Sequence, residues 1–359
     1  MLRPYGYDTY RGRSKWKTAL TIIIIVLLVV LAAAVAAFFL LQKYVVYTDD
    51  GRARLELPFF QQQEAAIPEP SGDGELPVVV VTAKPSPEPT QAPALLAVSL
   101  PRAALTDGTA AAQAAAVGAN AVYLDMKADD GTLGYVSALP AAISMGTSAA
   151  NANLNEAIAD LSASGLYTVA RVSCFRDNLA PRMDNSLAVR TNSGYNWRDA
   201  GDIRWMNPAV EEARDYVAGV CRELATLGFD EIVLDNACYP VDGHLDYIKR
   251  GATYDTANLS QPLELFYAQV KEALSDYPQV VLSIAADRAA LTGESGNQSG
   301  QTPELLERSA RRIWTPAVEW EGADAVSITA AGLQPDRIVL TGVSAIPTGL
   351  AGALLPSES

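Results

Sequence analysis

From residue 94 onward, short apolar runs alternate with stretches of helical periodicity, and this alternation narrows the fold more than any other feature of the chain. The runs are 94–101 (ALLAVSLP), 121–127 (AVYLDMK), 167–175 (YTVARVSCF), 231–235 (EIVLD), 280–287 (VVLSIAAD), 323–330 (ADAVSITA) and 337–342 (RIVLTG). Helical stretches fall between them near 109–118, 153–164, 208–227, 261–276 and 303–313. Strands alternating with helices imply parallel βα units. Seven such strands in about 260 residues suit an α/β (β/α)8 barrel better than an open doubly wound sheet. An eighth strand is not visible in 94–350. It is expected either as a degenerate strand or from LPVVVVTA (76–83).

Alternate residues of a strand face opposite sides. In EIVLD, Ile232 and Leu234 share one face, Val233 and Asp235 the other. The same parity sets Val122 and Leu124 against Tyr123, Asp125 and Lys127. It sets Val172 and Cys174 against Arg171 and Ser173, and Leu282 and Ile284 against Ser283, Ala285 and Asp287. The aliphatic face is expected to pack on helices. The polar face, with charges mainly at the C-terminal strand ends, is expected to look into the barrel mouth, where barrel enzymes place their chemistry.

Ahead of this domain, residues 19–41 (ALTIIIIVLLVVLAAAVAAFFLL) carry no charge. As a helix they would extend about 34 Å, enough for a hydrocarbon core of about 30 Å. Arg3, Arg11, Arg13, Lys15 and Lys17 precede the span against a single Asp8. The positive-inside rule then keeps residues 1–18 in the cytoplasm and the rest outside. A secretory signal is the competing reading, with AAAVAA as its cleavage site. Its apolar core would ordinarily be only about 7–15 residues, so an uncleaved single-pass anchor in the lipid bilayer of the cell membrane is expected. Residues 42–93 are rich in Pro, Glu, Gln and Ser and read as an extracellular tether. The barrel is assigned to 94–350 and a C-terminal tail to 351–359.

Twenty-seven basic residues against 41 acidic ones give a net charge of −14, which argues against nucleic acid as a partner. Three scattered cysteines and one histidine (His244) offer no zinc site of ordinary composition. No metal and no cofactor is expected.

NAVYLDMKADDGTLGY, GLYTVARVSCFRDNLA, LAVRTNSGYNWRD and LGFDEIVLDNACYP, in this order, resemble the bacterial Putative glycosyl hydrolase domain family, over about residues 95–290. The resemblance implies a (β/α)8 fold and a carbohydrate substrate, here an envelope polysaccharide or cell-wall glycan. Asp125 and Lys127 match the family's Asp-x-Lys, and Asp287 its next strand-ending Asp. The chain departs in two places. Family members follow the strand-ending Asp with Tyr-x-Arg-Phe-Pro, whereas Cys238 occupies the Arg position here. AVSITAAG also lacks the aromatic and His groups of a Pro-Met-x-Tyr-Pro-Ser-His-Tyr-like segment.

Glycoside hydrolysis needs two carboxyl groups flanking the scissile bond. Asp125, Asp235 and Asp287 are the candidates, with Asp235 as nucleophile or base and Asp287 as acid. Lys127 or Arg171 would hold one of them ionised. Lys127, Arg171 and Asn236 are also candidate substrate contacts, and Trp197 and Trp205 a candidate sugar-stacking platform. A structural salt-bridge layer and simple loop packing are the competing accounts of these groups. Asp129-Asp130-Gly131 reads first as a turn, with a cation site as the lesser alternative. His244 reads as a solvated loop residue and Cys238 as a small loop residue. Glu319 and Glu321 fall at the wrong end of the 323–330 strand. Three functions compete: a hydrolase, a degenerate barrel that binds glycan or protein at the cell surface, and a scaffold without a ligand.

Overall fold

The computed structural model describes residues 45–47, 53–55 and 94–356. The chain divides into two compact units, 1–86 and 87–359. In the first, β1 (Val45–Tyr47) pairs antiparallel with β2 (Ala53–Leu55), inside the stretch read as a tether. The apolar span 19–41 and LPVVVVTA lie outside the described residues. Among the described residues no helix is long and apolar enough to cross a membrane.

The second unit is a closed barrel of eight parallel strands. They are β3 (Leu95–Leu100), β4 (Ala121–Lys127), β5 (Tyr167–Ser173), β6 (Glu231–Asp235), β7 (Val281–Ala285), β8 (Arg312–Pro316), β9 (Ile338–Thr341) and β10 (Gly352–Leu355). Each pairs with the next, and β10 closes on β3. The eighth strand is therefore β10, within the residues assigned to the tail. It escapes sequence reading because it is short and opens on Gly352. A Cβ there would sit 2.4 Å from the Leu95 carbonyl oxygen, so the close approach that seals the barrel requires glycine.

A second correction concerns 312–330. The stretch 323–330 is not a strand; Ala325–Ala330 is a helix, started by a capping box in which Asp324 Oδ1 accepts from the Ser327 amide at 2.9 Å. The strand lies earlier, at β8, inside and just beyond the stretch read as a helix to residue 313. Its inward residues are Arg312, Trp314 and Pro316, so no aliphatic run announces it.

Strand parity holds around the ring except at Lys127, which ends β4 beyond an irregular step in the ladder. Val122, Leu124, Ile232, Leu234 and Ile284 point outward into the main core, against residues such as Val217, Leu224, Leu263 and Phe266. Leu95, Ala97, Ala121, Val169, Val233, Trp314 and Val339 fill the barrel axis as a separate cluster. The helix Glu211–Thr226 shows how the shell forms. Ala213, Tyr216, Val217, Val220, Cys221 and Leu224 recur at helical spacing and are buried. Glu211 and Glu212 in its first turn complement the helix dipole, and Gly228, at φ +97°, supplies the left-handed exit. Burying each of Val217 and Leu224 contributes roughly 1.5–3 kcal/mol.

The axis also holds a charge at its N-terminal end, where none was expected. Glu231, fully buried, accepts from Ser283 Oγ (2.6 Å), Trp314 Nε1 (2.9 Å) and Tyr167 OH (3.0 Å), and pairs with Arg312. This closed network forms the barrel floor.

Candidate active site

At the C-terminal mouth the register sets Asp125 beside Arg171 and Ser173 beside Asp235 on adjacent strands. Arg171 on β5 therefore lies between the carboxylates of β4 and β6. Its Nε donates to Asp235 Oδ2 at 2.7 Å and its Nη1 to Asp125 Oδ1 at 3.1 Å. A third partner was not foreseen. Asp129, read as part of a turn, accepts from Arg171 Nη2 at 2.6 Å and also pairs with Arg176. Burial works to raise the Asp129 carboxyl, but the Arg171 charge and hydrogen bond, with Arg176, hold it below its ordinary value. Arg171 is shifted the other way: burial opposes its charge, yet Asp235 and its neighbours raise it further. Asp130 does make the expected turn, accepting from Thr132 N and Oγ1.

Asn236 adopts φ +48°, a left-handed conformation that Asn tolerates. Its amide N–H donates to Asp235 Oδ1 at 2.8 Å, and its side chain donates to Ser173 Oγ at 3.0 Å and Asp129 Oδ1 at 3.3 Å. Asn236 thus orients the Asp235 carboxylate as well as lining the mouth.

Lys127 does not join this group. The β4–β5 register slips between Asp125 and Lys127, and Lys127 turns into the shell, fully buried. Its Nζ lies 2.7 Å from both Asp177 Oδ2 and Ser173 O. A group so enclosed cannot touch a substrate, so its assignment as a substrate contact is withdrawn. Trp197 and Trp205 are corrected likewise. They are buried and donate to His244 O (2.8 Å) and Asp199 Oδ2 (2.9 Å), which pins the loop instead of offering a stacking face. The exposed aromatic groups nearby are Tyr195, Tyr247 and His244, the last two stacked at 4.9 Å.

Beside the Arg171 cluster opens a cavity of about 320 Å³, lined among others by Tyr123, Asp235, Asp287, Ser299, Gln301 and Trp314. That size is at the small end of ordinary ligand pockets, roughly 300–1,000 Å³. Asp287 lies two residues past the end of β7 and caps the helix Arg288–Thr292, its Oδ1 accepting from Ala290 N at 2.7 Å. It shares the cavity with Asp235 but not the Arg171 cluster. Asp125 belongs to the cluster but not to the cavity wall. Cys238 also borders the cavity, and burial, followed by Asp235 and Asp287, pushes its thiol well up.

Glu319 is relocated by the correction to β8. It ends the short turn Ala317–Glu319 just past that strand, on the mouth side, and its Oε2 accepts from Arg288 N at 2.6 Å. The segment after β8 also carries Trp320, buried, with Nε1 on Thr315 Oγ1 at 3.1 Å.

Sequence reading did not bring Arg176, Asp199, Ser299 or Gln301 to the site, and it read Asp129 as part of a turn. Asp129, Arg176 and Asp199 sit inside the blocks KADDG, CFRD and NWRD that carry the resemblance, which was the available signal. Ser299 and Gln301 come from a loop with no periodic pattern.

Comparison with solved structures gives barrels of low identity. A hypothetical protein from Ruminiclostridium thermocellum is 25% identical, with 52% of this chain and 96% of that chain covered and a TM-score of 0.43. An α-galactosidase from Lactobacillus brevis is 12% identical, with 73% and 37% covered and a TM-score of 0.47. A GH36 α-galactosidase from Geobacillus stearothermophilus in complex with raffinose is 12% identical, with 73% and 39% covered and a TM-score of 0.48. The chain thus spans less than half the length of either α-galactosidase. No curated protein matches it. The family model described as Putative glycosyl hydrolase domain matches residues 110–314, more than half of the chain. The chain belongs to that family.

Proposed function

We propose that the barrel hydrolyses a glycosidic bond of a polysaccharide outside the cell. The observation that carries this reading is the placement of two carboxylates, Asp235 and Asp287, on the wall of one cavity at the C-terminal ends of adjacent strands. Asp235 serves as nucleophile or base. Arg171 and the Asn236 amide fix its orientation from behind, which is the preorganisation such a group needs. Asp287 serves as the acid. Its Oδ1 is engaged at the helix start, and among the described residues it makes no ion pair, so Oδ2 is available to a leaving-group oxygen.

One observation favours a second reading, a barrel that binds glycan without cleaving it. Arg171 approaches Asp235 Oδ2 from two nitrogens, at 2.7 Å and 2.6 Å, which occupies the oxygen a nucleophile would use. Incubating the purified full chain with a panel of envelope glycans separates the two. Release of new reducing ends is the expected result; retention of glycan with no reducing ends supports the binding reading.

We further propose that residues 19–41 anchor the protein, N-terminus inside, and that 42–93 hold the barrel away from the bilayer. The apolar span and its basic flank support this. Protease added to intact cells should remove everything beyond about residue 45 and leave the N-terminus protected. Recovery of a soluble mature form beginning near Phe38 would overturn the anchor.

A further inference from the structure

The cavity wall carries hydrogen-bonding groups that the protein itself does not use. Gln301, 4% exposed, directs Nε2 at Tyr267 OH (3.1 Å), Ala285 O (3.3 Å) and Ala237 O (3.5 Å). Three oxygen partners fix which end of the amide is nitrogen. Its Oε1 then has no donor among the described residues. Ser299, 2% exposed, accepts from Gln301 N at 3.1 Å through Oγ, and its hydroxyl proton has no acceptor among the described residues. The hydroxyls of Tyr123 and Thr341, on the same wall, likewise have no partner there. Ser299 and Gln301 are held in place by the bonds they do make, and the four unpaired groups lie on the cavity wall, so together they offer hydrogen bonds to a ligand with several hydroxyls.

The charges on the wall restrict that ligand further. Among the described residues no Lys, Arg or His lines the cavity. Asp235 has Arg171 behind it, and Asp287 has no counter-charge among the described residues. A carboxylate, sulfate or phosphate entering here would meet two acidic side chains and no cation of its own, which disfavours it strongly. A neutral ring meets no such penalty, and an ammonium group would gain from Asp287.

Resting on the hydrolase reading above, we propose that the cavity takes a single neutral or amino-sugar ring and rejects uronic-acid, sulfated and phosphorylated sugars. Ser299 and Gln301 are its specificity-determining residues, one donating to and one accepting from the ring hydroxyls. The test uses the full chain in detergent and ligand-detected NMR with 4-nitrophenyl glycosides. The probes are the α and β glucosides, galactosides and N-acetylglucosaminides, with the matched β-glucuronide as the anion. At least one neutral glycoside should bind at least about tenfold more tightly than the glucuronide. Ser299→Ala should weaken that glycoside roughly three- to tenfold, the worth of one neutral hydrogen bond. Asp287→Asn keeps a helix-capping side chain and should bring glucuronide binding closer to that of the neutral sugar. Equal binding of the glucuronide by the parent, no effect of Ser299→Ala, or no binding of any glycoside overturns the proposal. Release of 4-nitrophenol, read in the same samples, tests the hydrolase reading separately. Selective binding without release retires hydrolysis and leaves the selectivity standing; release from the glucuronide as fast as from the neutral glycosides does the reverse.

Discussion

Asp235→Asn should abolish turnover by at least about 10²–10⁴-fold while lowering stability little. The kinetic part follows from the role. An amide can neither attack an anomeric carbon nor take a proton from water, so kcat and kcat/KM should fall together with binding retained. The stability part follows from how Arg171 is shared. Removing one charge leaves it with Asp129 at 2.6 Å and Asp125 at 3.1 Å, so no buried cation is orphaned. The remaining cost is one mismatched contact. Asp235 accepts on both oxygens, from Arg171 and from the Asn236 amide, and an Asn must turn its NH2 towards one of these donors. That costs about 1 kcal/mol, or a few degrees of melting temperature in a domain of this size. Full activity in the variant would remove Asp235 from the chemistry. A melting-temperature loss of about 10 °C or more, with no hydrolysis by the parent, would make Asp235 a structural partner of Arg171 and retire the enzyme reading.

What could be read from the sequence was whatever repeats. Six strands carried aliphatic residues on the outward face, so a period of two showed both the strand and the direction of its polar residues. Asp125, Arg171 and Asp235 meet as their parity requires. Strands whose outward face is short or small were invisible. β8 shows only Ile313 and Thr315 outward, between Arg312 and Pro316, and β10 begins with a glycine that its neighbour's backbone demands. The same error that hid β8 displaced Glu319 to the wrong end of a strand that does not exist. Loops gave the weakest signal, because a side chain there is aimed by contacts distant in sequence. Asp129 meets an arginine 42 residues away and Asn236 from 107 residues away. The tryptophans misled for a related reason: an aromatic residue in a long loop serves packing and stacking equally well in composition, and only burial separates the two.

Parity failed at Lys127, because one irregular step in the β4–β5 ladder turned the side chain outward into the shell. A second large effect follows from that step. Lys127→Met should destabilise the domain by about 3–5 kcal/mol, the usual result of removing one partner from a buried ion pair. Lys127 and Asp177 are both fully enclosed, 2.7 Å apart, and the Tyr216 ring lies 5.8 Å from the ammonium. Asp177 cannot move aside. Its Oδ1 accepts from Leu179 N (2.9 Å) and Ala180 N (2.8 Å), and it packs so closely on Gly131 that a Cβ there would come within 2.3 Å. Without the lysine, a fixed carboxylate is left in the shell with no counter-charge. Adding Asp177→Asn removes that charge and keeps the amide contacts through its carbonyl oxygen, so the double variant should recover a large part of the loss. Denaturant melts of the four proteins measure the coupling. A single-variant loss under about 1 kcal/mol, or a double variant no better than Lys127→Met, would show that the pair is not what holds this segment. The effect should also reach the mouth. Asn178, next to Asp177, donates its amide to Asp129 O at 3.1 Å, so the buried pair fixes the backbone that presents Asp129 to Arg171, and through Arg171 the orientation of Asp235. Any turnover that the barrel has should therefore fall in Lys127→Met even under conditions where the fold is fully populated, and return with the double variant.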